Sequence, residues 1–192
     1  MLKQSIRPAL TVFLLLSALT GIVYPLVITG IGAAVFSKQA GGSLIVRDGK
    51  PIGSSLIGQN FTEPKYFWGR PSATGTSPYN PLATSGTNQG PLNPALADAV
   101  KSRIDSLRAV DPGNTSAVPV DLVTASASGL DPHISLAAAN YQAARVARER
   151  GLPVEQVKEL IARHADGRWL GLFGEPHVNV LALNLALDGF AP

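Results

Sequence analysis

Ser126, Ser128, Asp131 and His133 lie within one run of eight residues and supply a hydroxyl, a carboxylate and an imidazole. That is the raw material of a serine hydrolase, whose nucleophile, base and orienting acid must meet in space. The Gly-x-Ser-x-Gly turn that exposes such a serine does not occur in the chain. Small hydroxyl residues ahead of a helix ordinarily serve as caps and turn formers, so catalysis is not expected here. The three histidines, His133, His164 and His177, have no metal-ligand spacing and no His-Glu-x-x-His motif, so no metal site is expected. The chain has no cysteine, which excludes disulfides, thiolate metal sites and cysteine nucleophiles. Walker A and Gly-x-Gly-x-x-Gly patterns are also absent. Gly86 and Gly90 sit in a polar loop without the strand and helix start that a phosphate cradle needs. Arg70 and Arg145 are the side chains suited to an acidic partner or a phosphate, although solvated or structural arginines are commoner.

The composition explains where such residues must be held. Hydrophobic residues make up 45% of the 192 and charged residues 15%, against about 25% charge in average soluble domains. No charge falls between Arg7 and Lys38, and 20 of the 28 residues from Ala9 to Phe36 are apolar. A run of that length is a membrane-span candidate. As a helix it reaches about 42 Å across a hydrocarbon core of about 30 Å. A signal peptide has an apolar region of only about 7–15 residues, so a retained anchor is expected. Lys3 and Arg7 before the span favour a cytoplasmic amino terminus, residues 1–8, and an extracytoplasmic domain from 37 to 192. Pro25 is expected to interrupt the helix. Ser17 with Gly21, and Gly30 with Ala34, are small-xxx-small pairs that let another membrane helix approach. Gly21, Pro25 and Gly30 are therefore the candidate packing residues. Beyond residue 37 there are 14 basic and 13 acidic side chains, which is no footprint for nucleic acid.

The remainder reads as one α+β domain with a hairpin and about four helices. Ser43–Arg47 and Ile52–Ile57 flank the turn signal Asp48-Gly49-Lys50-Pro51. From Gly58 to Pro94, 23 of 37 residues are Gly, Pro, Ser, Thr or Asn, yet five of the chain's twelve aromatics lie there. Disordered linkers are poor in aromatics, so an ordered, functional loop is expected. Aromatics and arginine dominate protein interfaces, which makes Tyr66, Phe67, Trp68, Arg70, Tyr79 and Asn80 the candidate partner contacts. Asn93 and Pro94 start a helix with Leu96, Val100, Ile104 and Leu107 on one face. Val118–Val123 reads as a short strand. Asp131-Pro132 opens a second helix to Arg150 with Gly151 beyond it. Pro153 begins a third, with Val154, Val157, Leu160 and Ile161 inward, and Val178–Asp188 forms the last, capped by Asn179. From bare chemistry this is a membrane-anchored, non-enzymatic accessory domain.

Longer motifs narrow the reading. Arg7-Pro8-Ala9-Leu10 precedes the span and Gly21-Ile22-Val23-Tyr24-Pro25-Leu26 lies inside it. Ile57-Gly58-Gln59-Asn60-Phe61, then YFWGRPSA from Tyr66 to Ala73, then Tyr79-Asn80-Pro81 follow. LVTASASGLDPHIS runs from Leu122 to Ser135 and NVLALNLALD from Asn179 to Asp188. In this order they closely resemble the C subunit family of the Kdp potassium-transporting P-type ATPase, over nearly the whole chain. One departure is Ser85, within Thr84-Ser85-Gly86-Thr87-Asn88, where a glycine is usual; it argues against a close backbone approach in this loop. The resemblance implies a bacterial inner-membrane complex that imports potassium using ATP. Its partners are a channel-like potassium-binding subunit, an ATP-hydrolysing subunit and the lipid bilayer. It implies a non-catalytic chain with no tightly bound cofactor, acting as a catalytic chaperone that raises the ATP affinity of the hydrolysing subunit. Gln142, with Arg145 and Ser128, would then be the nucleotide contacts, ATP being met only through the complex. The expected topology conflicts with that role, because ATP is cytosolic. The alternative is an extracytoplasmic lid or clamp over the potassium-binding subunit, without nucleotide contact.

Overall fold

The computed structural model describes residues 2–189; Met1, residues 190–192 and the side chains of residues 2–4, Lys3 included, lie outside the described residues. The chain divides into two units at residues 44 and 45. The first is helical. α1 (Leu2–Ala18) leads through a π-helical turn, Leu19–Val23, into α2 (Tyr24–Val35), and a short α3 (Ser37–Ala40) follows. Ser5–Val35 is long and apolar enough to cross a membrane. The expected interruption at Pro25 takes the form of the π turn. Proline has no N–H, and its ring would crowd the carbonyl four residues back. The wider turn, in which the Tyr24 N–H donates to Leu19 O, accommodates both constraints. Gly21 lies inside that turn.

The second unit is mixed α/β with two small sheets, an α+β domain as its sequence pattern implies. β1 (Leu44–Arg47) and β2 (Lys50–Ser54) form the hairpin. Asp48 and Gly49 carry φ of 51° and 74°, the paired positive values of a two-residue turn that matches strand twist. The turn is therefore shorter than the four-residue signal, and Lys50 and Pro51 belong to β2. Ile45 and Ile52 pack with Leu181 and Leu185 of the last helix.

α4 (Pro94–Val110) starts where expected, the Asn93 side chain accepting from Ala95 N at 3.0 Å. Val118–Val123 is not a strand. Val120–Leu122 is a 3-10 turn that buries Leu122 and turns Asp121 toward Ser135, whose N–H it accepts at 2.7 Å. The second helix starts later than Asp131-Pro132. His133–Ser135 is a strand, β3, and the Ser135 hydroxyl caps α5 (Leu136–Arg150) by accepting from Ala138 N at 3.0 Å. Gly151, at φ 65°, ends α5. Gly151 N donates to Arg148 O and Leu152 N to Ala147 O, the paired bonds of a Schellman cap. α6 (Val154–Arg163) returns with Val157 and Ile161 buried. β4 (Ala165–Asp166) and β5 (His177–Asn179) follow. β5 is the middle strand, antiparallel to β3 through Ile134↔Val178 and to β4 through Ala165↔Val178. Asn179 then caps α7 (Val180–Leu187), accepting from Ala182 N at 3.0 Å.

The main core joins Ile134 and Val178 of the sheet, the small inner face of α5 (Ala138, Ala139, Ala143, Val146) and Leu183 of α7. Phe67, from the irregular loop, is fully buried in it. The close approach that Ser85 argued against is made by its neighbour. A side chain at Gly86 would place Cβ 2.8 Å from Ala127 O.

Candidate functional site

Residues 58–93 form no strand, and their only helical turn is Pro81–Ala83. Such a segment must satisfy its buried peptide groups with side chains or other loops. Two side-chain amides meet the need at the centre. Asn184 of α7 accepts from Phe67 N at 2.8 Å and donates to Phe67 O at 3.0 Å. Gln142 of α5 accepts from Trp68 N at 2.8 Å and donates to Trp68 O at 3.1 Å. Each amide thus mimics a strand partner for one residue. Both side chains are 1% exposed.

Arginines secure the flanks. Arg145 donates to Gln142 Oε1 at 2.7 Å, to Tyr66 O at 3.1 Å and to Pro64 O. Its guanidinium carbon lies 4.8 Å from the Trp68 ring centroid, within cation–π range. Burial pushes its pKa down to about 10, so it stays cationic at neutral pH. Arg150 donates to Lys65 O at 2.7 Å and pairs with Asp188 at 2.8 Å. Asp188 also accepts from Tyr66 Oη at 2.9 Å.

The other end of the loop is zipped to residues 122–135. Arg70 pairs with Asp131 at 3.2 Å. Ser72 Oγ donates to Gly129 O at 2.7 Å and Thr84 Oγ1 to Ser128 O at 2.8 Å. Tyr79, at φ 58°, donates its hydroxyl to Arg70 O at 2.5 Å. A Cβ at Gly58 would meet the Tyr79 ring and lie 2.7 Å from Asp131 O. Burial, then the nearby Asp131 carboxylate, raises the Tyr79 pKa to about 12. Asn80 caps the 3-10 turn, accepting from Leu82 N at 3.0 Å.

The candidate residues therefore separate. Gln142 and Arg145 meet each other and the loop backbone. Ser128 is an exposed turn residue whose Oγ accepts from Leu130 N, and it joins neither of them. Phe67 is corrected from partner contact to core residue, because its ring is 0% exposed. Tyr66, Trp68, Arg70, Tyr79 and Asn80 are half-buried, each with a partner inside the domain. Ser126 Oγ accepts from Gly129 N at 2.9 Å and Asp131 Oδ1 from His133 N at 3.0 Å, the turn roles expected of them. Sequence reasoning missed Asn184, hidden in an apolar helix, and a projecting tip at Trp169–Phe173. In the tip Trp169, Leu170, Leu172 and Phe173 are 60–77% exposed. Trp169 N donates to Phe173 O at 2.8 Å and the reverse bond is 3.0 Å. Its signal was an apolar run between Gly167 and Gly174 that fits neither helical nor strand periodicity.

The sequence is matched by relatives. The family model described as K+-transporting ATPase, c chain, KdpC, matches residues 6–189. The chain belongs to the KdpC family. The potassium-transporting ATPase KdpC subunit of Polaromonas naphthalenivorans is 67% identical over 191 residues, covering 100% of this chain and 97% of that protein. That of Variovorax paradoxus is 69% identical over 190 residues, covering 99% and 98%. That of Dechloromonas aromatica is 62% identical over 187 residues, covering 97% and 98%.

Q142A and N184A each leave two peptide groups unpaired, at about 1–3 kcal/mol per group, so each variant should lose about 2–6 kcal/mol in urea unfolding of the full chain. The double variant should lose less than the sum, because both amides hold adjacent residues of one segment; full additivity would separate them. The raised Tyr79 pKa contributes stability that is complete below its ordinary value of 10 and is lost as pH rises towards about 12. A rise from 10 to about 12 corresponds to about 2–3 kcal/mol. Y79F cannot ionise, so its melting temperature should fall less than the wild type's between these pH values.

Proposed function

We propose that the chain is a non-catalytic accessory subunit of a bacterial potassium-transporting ATPase, anchored by Ser5–Val35, with the domain beyond residue 45 outside the cytoplasm. There it acts by packing, as a lid or clamp on the potassium-binding subunit, and does not meet ATP. The observation that carries this reading is the state of Gln142 and Arg145. Both are buried, and their polar groups are spent on the backbone of the aromatic loop within their own domain. The Lys3 and Arg7 bias supports the orientation. Gly21, Pro25 and Gly30 would face a neighbouring helix of the complex, where small residues allow close approach.

A reporter active only outside the cytoplasm, fused after residue 192, tests the orientation. Activity is expected; silence there, with activity of a cytoplasmic reporter at the same place, would return the nucleotide reading. Subunit contact belongs to the Trp169–Phe173 tip, whose rings are exposed and whose backbone is pre-set by its own hydrogen bonds. Exposed aromatics of this kind are typical binding anchors. W169A/F173A should reduce co-purification of the complex several-fold and change the stability of the chain by no more than about 0.5 kcal/mol per site. Undiminished recovery of the complex would remove the tip from the interface.

A further inference from the structure

A cavity of about 350 Å³ opens between the aromatic loop and α4. Phe61, Trp68, Tyr79 and Leu122 contribute apolar surface to its lining, and Arg70 and Arg103 are its two cationic residues. No carboxylate lines it among the described residues. Arg70 is already offset by Asp131 at 3.2 Å, but its Nε is buried and has no hydrogen-bond acceptor among the described residues. Arg103 donates to Val123 O at 2.7 Å and has no ion pair among them. Burial lowers its pKa, the mark of a cation partly stripped of water without a counter-charge. A cation in that condition is stabilised by an anion brought to it.

The charge balance states which anion. With Arg70 neutralised by Asp131, one positive charge is left uncompensated, which suits a monoanion better than a phosphate dianion. Planar guanidinium donors match the two oxygens of a carboxylate, and the rings and Leu122 suit an apolar body behind it. We propose that this cavity binds a carboxylate carried on a flat apolar body, with Arg103 as its ion partner. The inference stands on the cavity and does not rest on how the subunit is oriented.

The test uses the full chain in detergent, titrated with benzoate, with neutral benzamide and with inorganic phosphate. Benzoate should bind about tenfold or more tightly than benzamide, and more tightly than phosphate. R103Q should abolish that preference and R103K should restore part of it. The comparison of R103Q with R103K at equal melting temperature separates loss of charge from loss of fold. Absence of benzoate binding, equal binding of benzoate and benzamide, tighter binding of phosphate, or an unchanged preference in R103Q would each overturn the proposal. The intact potassium-transporting complex then identifies the source. Benzoate excluded from the complex but bound by the chain alone means that a neighbouring subunit's carboxylate fills the cavity. Benzoate bound equally by both means that the natural ligand is a free aromatic acid.

Discussion

A segment that crosses a hydrophobic core without belonging to a helix or sheet carries peptide groups that nothing in its own conformation satisfies. Each buried group left unpaired costs about as much as a lost hydrogen bond or more. In this domain that constraint falls on Phe67 and Trp68. Phe67 can occupy the centre of the core only because Asn184 and Gln142 present side-chain amides to its backbone and to that of its neighbour. An amide is the suitable group, having one acceptor oxygen and a donor nitrogen in the same plane. A hydroxyl could not reproduce that planar pair, and a carboxylate offers no donor. The small inner face of α5 has the same origin: Ala138, Ala139 and Ala143 keep the helix surface low enough for the loop and α7 to approach it.

The arginines extend this arrangement outward. Arg145 and Arg150 project from one helix on to carbonyls of residues 64–66 and over the faces of Trp68 and Tyr66. Loop, α5 and α7 therefore form one block. Arg70, Ser72 and Thr84 bind the remainder of the loop to residues 128–131, so two largely irregular segments support each other. The close approach this requires is met by Gly86 and by Gly129, whose φ is 71°.

What the sequence disclosed and what it concealed follow from range. Helix ends were legible because capping is local: Asn93, Gly151 and Asn179 act on groups within a few residues. The apolar stretch before residue 36 was legible because length and missing charge suffice. The sheet was not, since its strands run for two or three residues and show no period of two. Val118–Val123 looked like a strand from its apolar content, but Asp121 is committed to Ser135 and the backbone turns to allow it. The aromatic loop was recognisable as ordered, but which rings point inward depends on Asn184 and Gln142, 117 and 74 residues away in sequence. No local pattern records such a pairing.

The same block limits how a substitution at Gln142 or Arg145 can be read. Family resemblance draws attention to these positions as ligand contacts, and loss of function on changing them would agree with it. Yet removing either amide or guanidinium releases the backbone at residues 64–68, and with it Trp68 and Arg70 on the wall of the cavity beside α4. Loss of binding or assembly would follow even if neither residue ever touched a ligand. A direct role would have to appear as an effect that survives in a variant of unchanged stability, and burial at 1% exposure leaves little room for one. Arg103 is in the opposite position. It lines the cavity, and its guanidinium donates to Val123 O. Its charge can therefore be altered with far less disturbance to the fold, and an effect of its substitution reports on what enters the cavity.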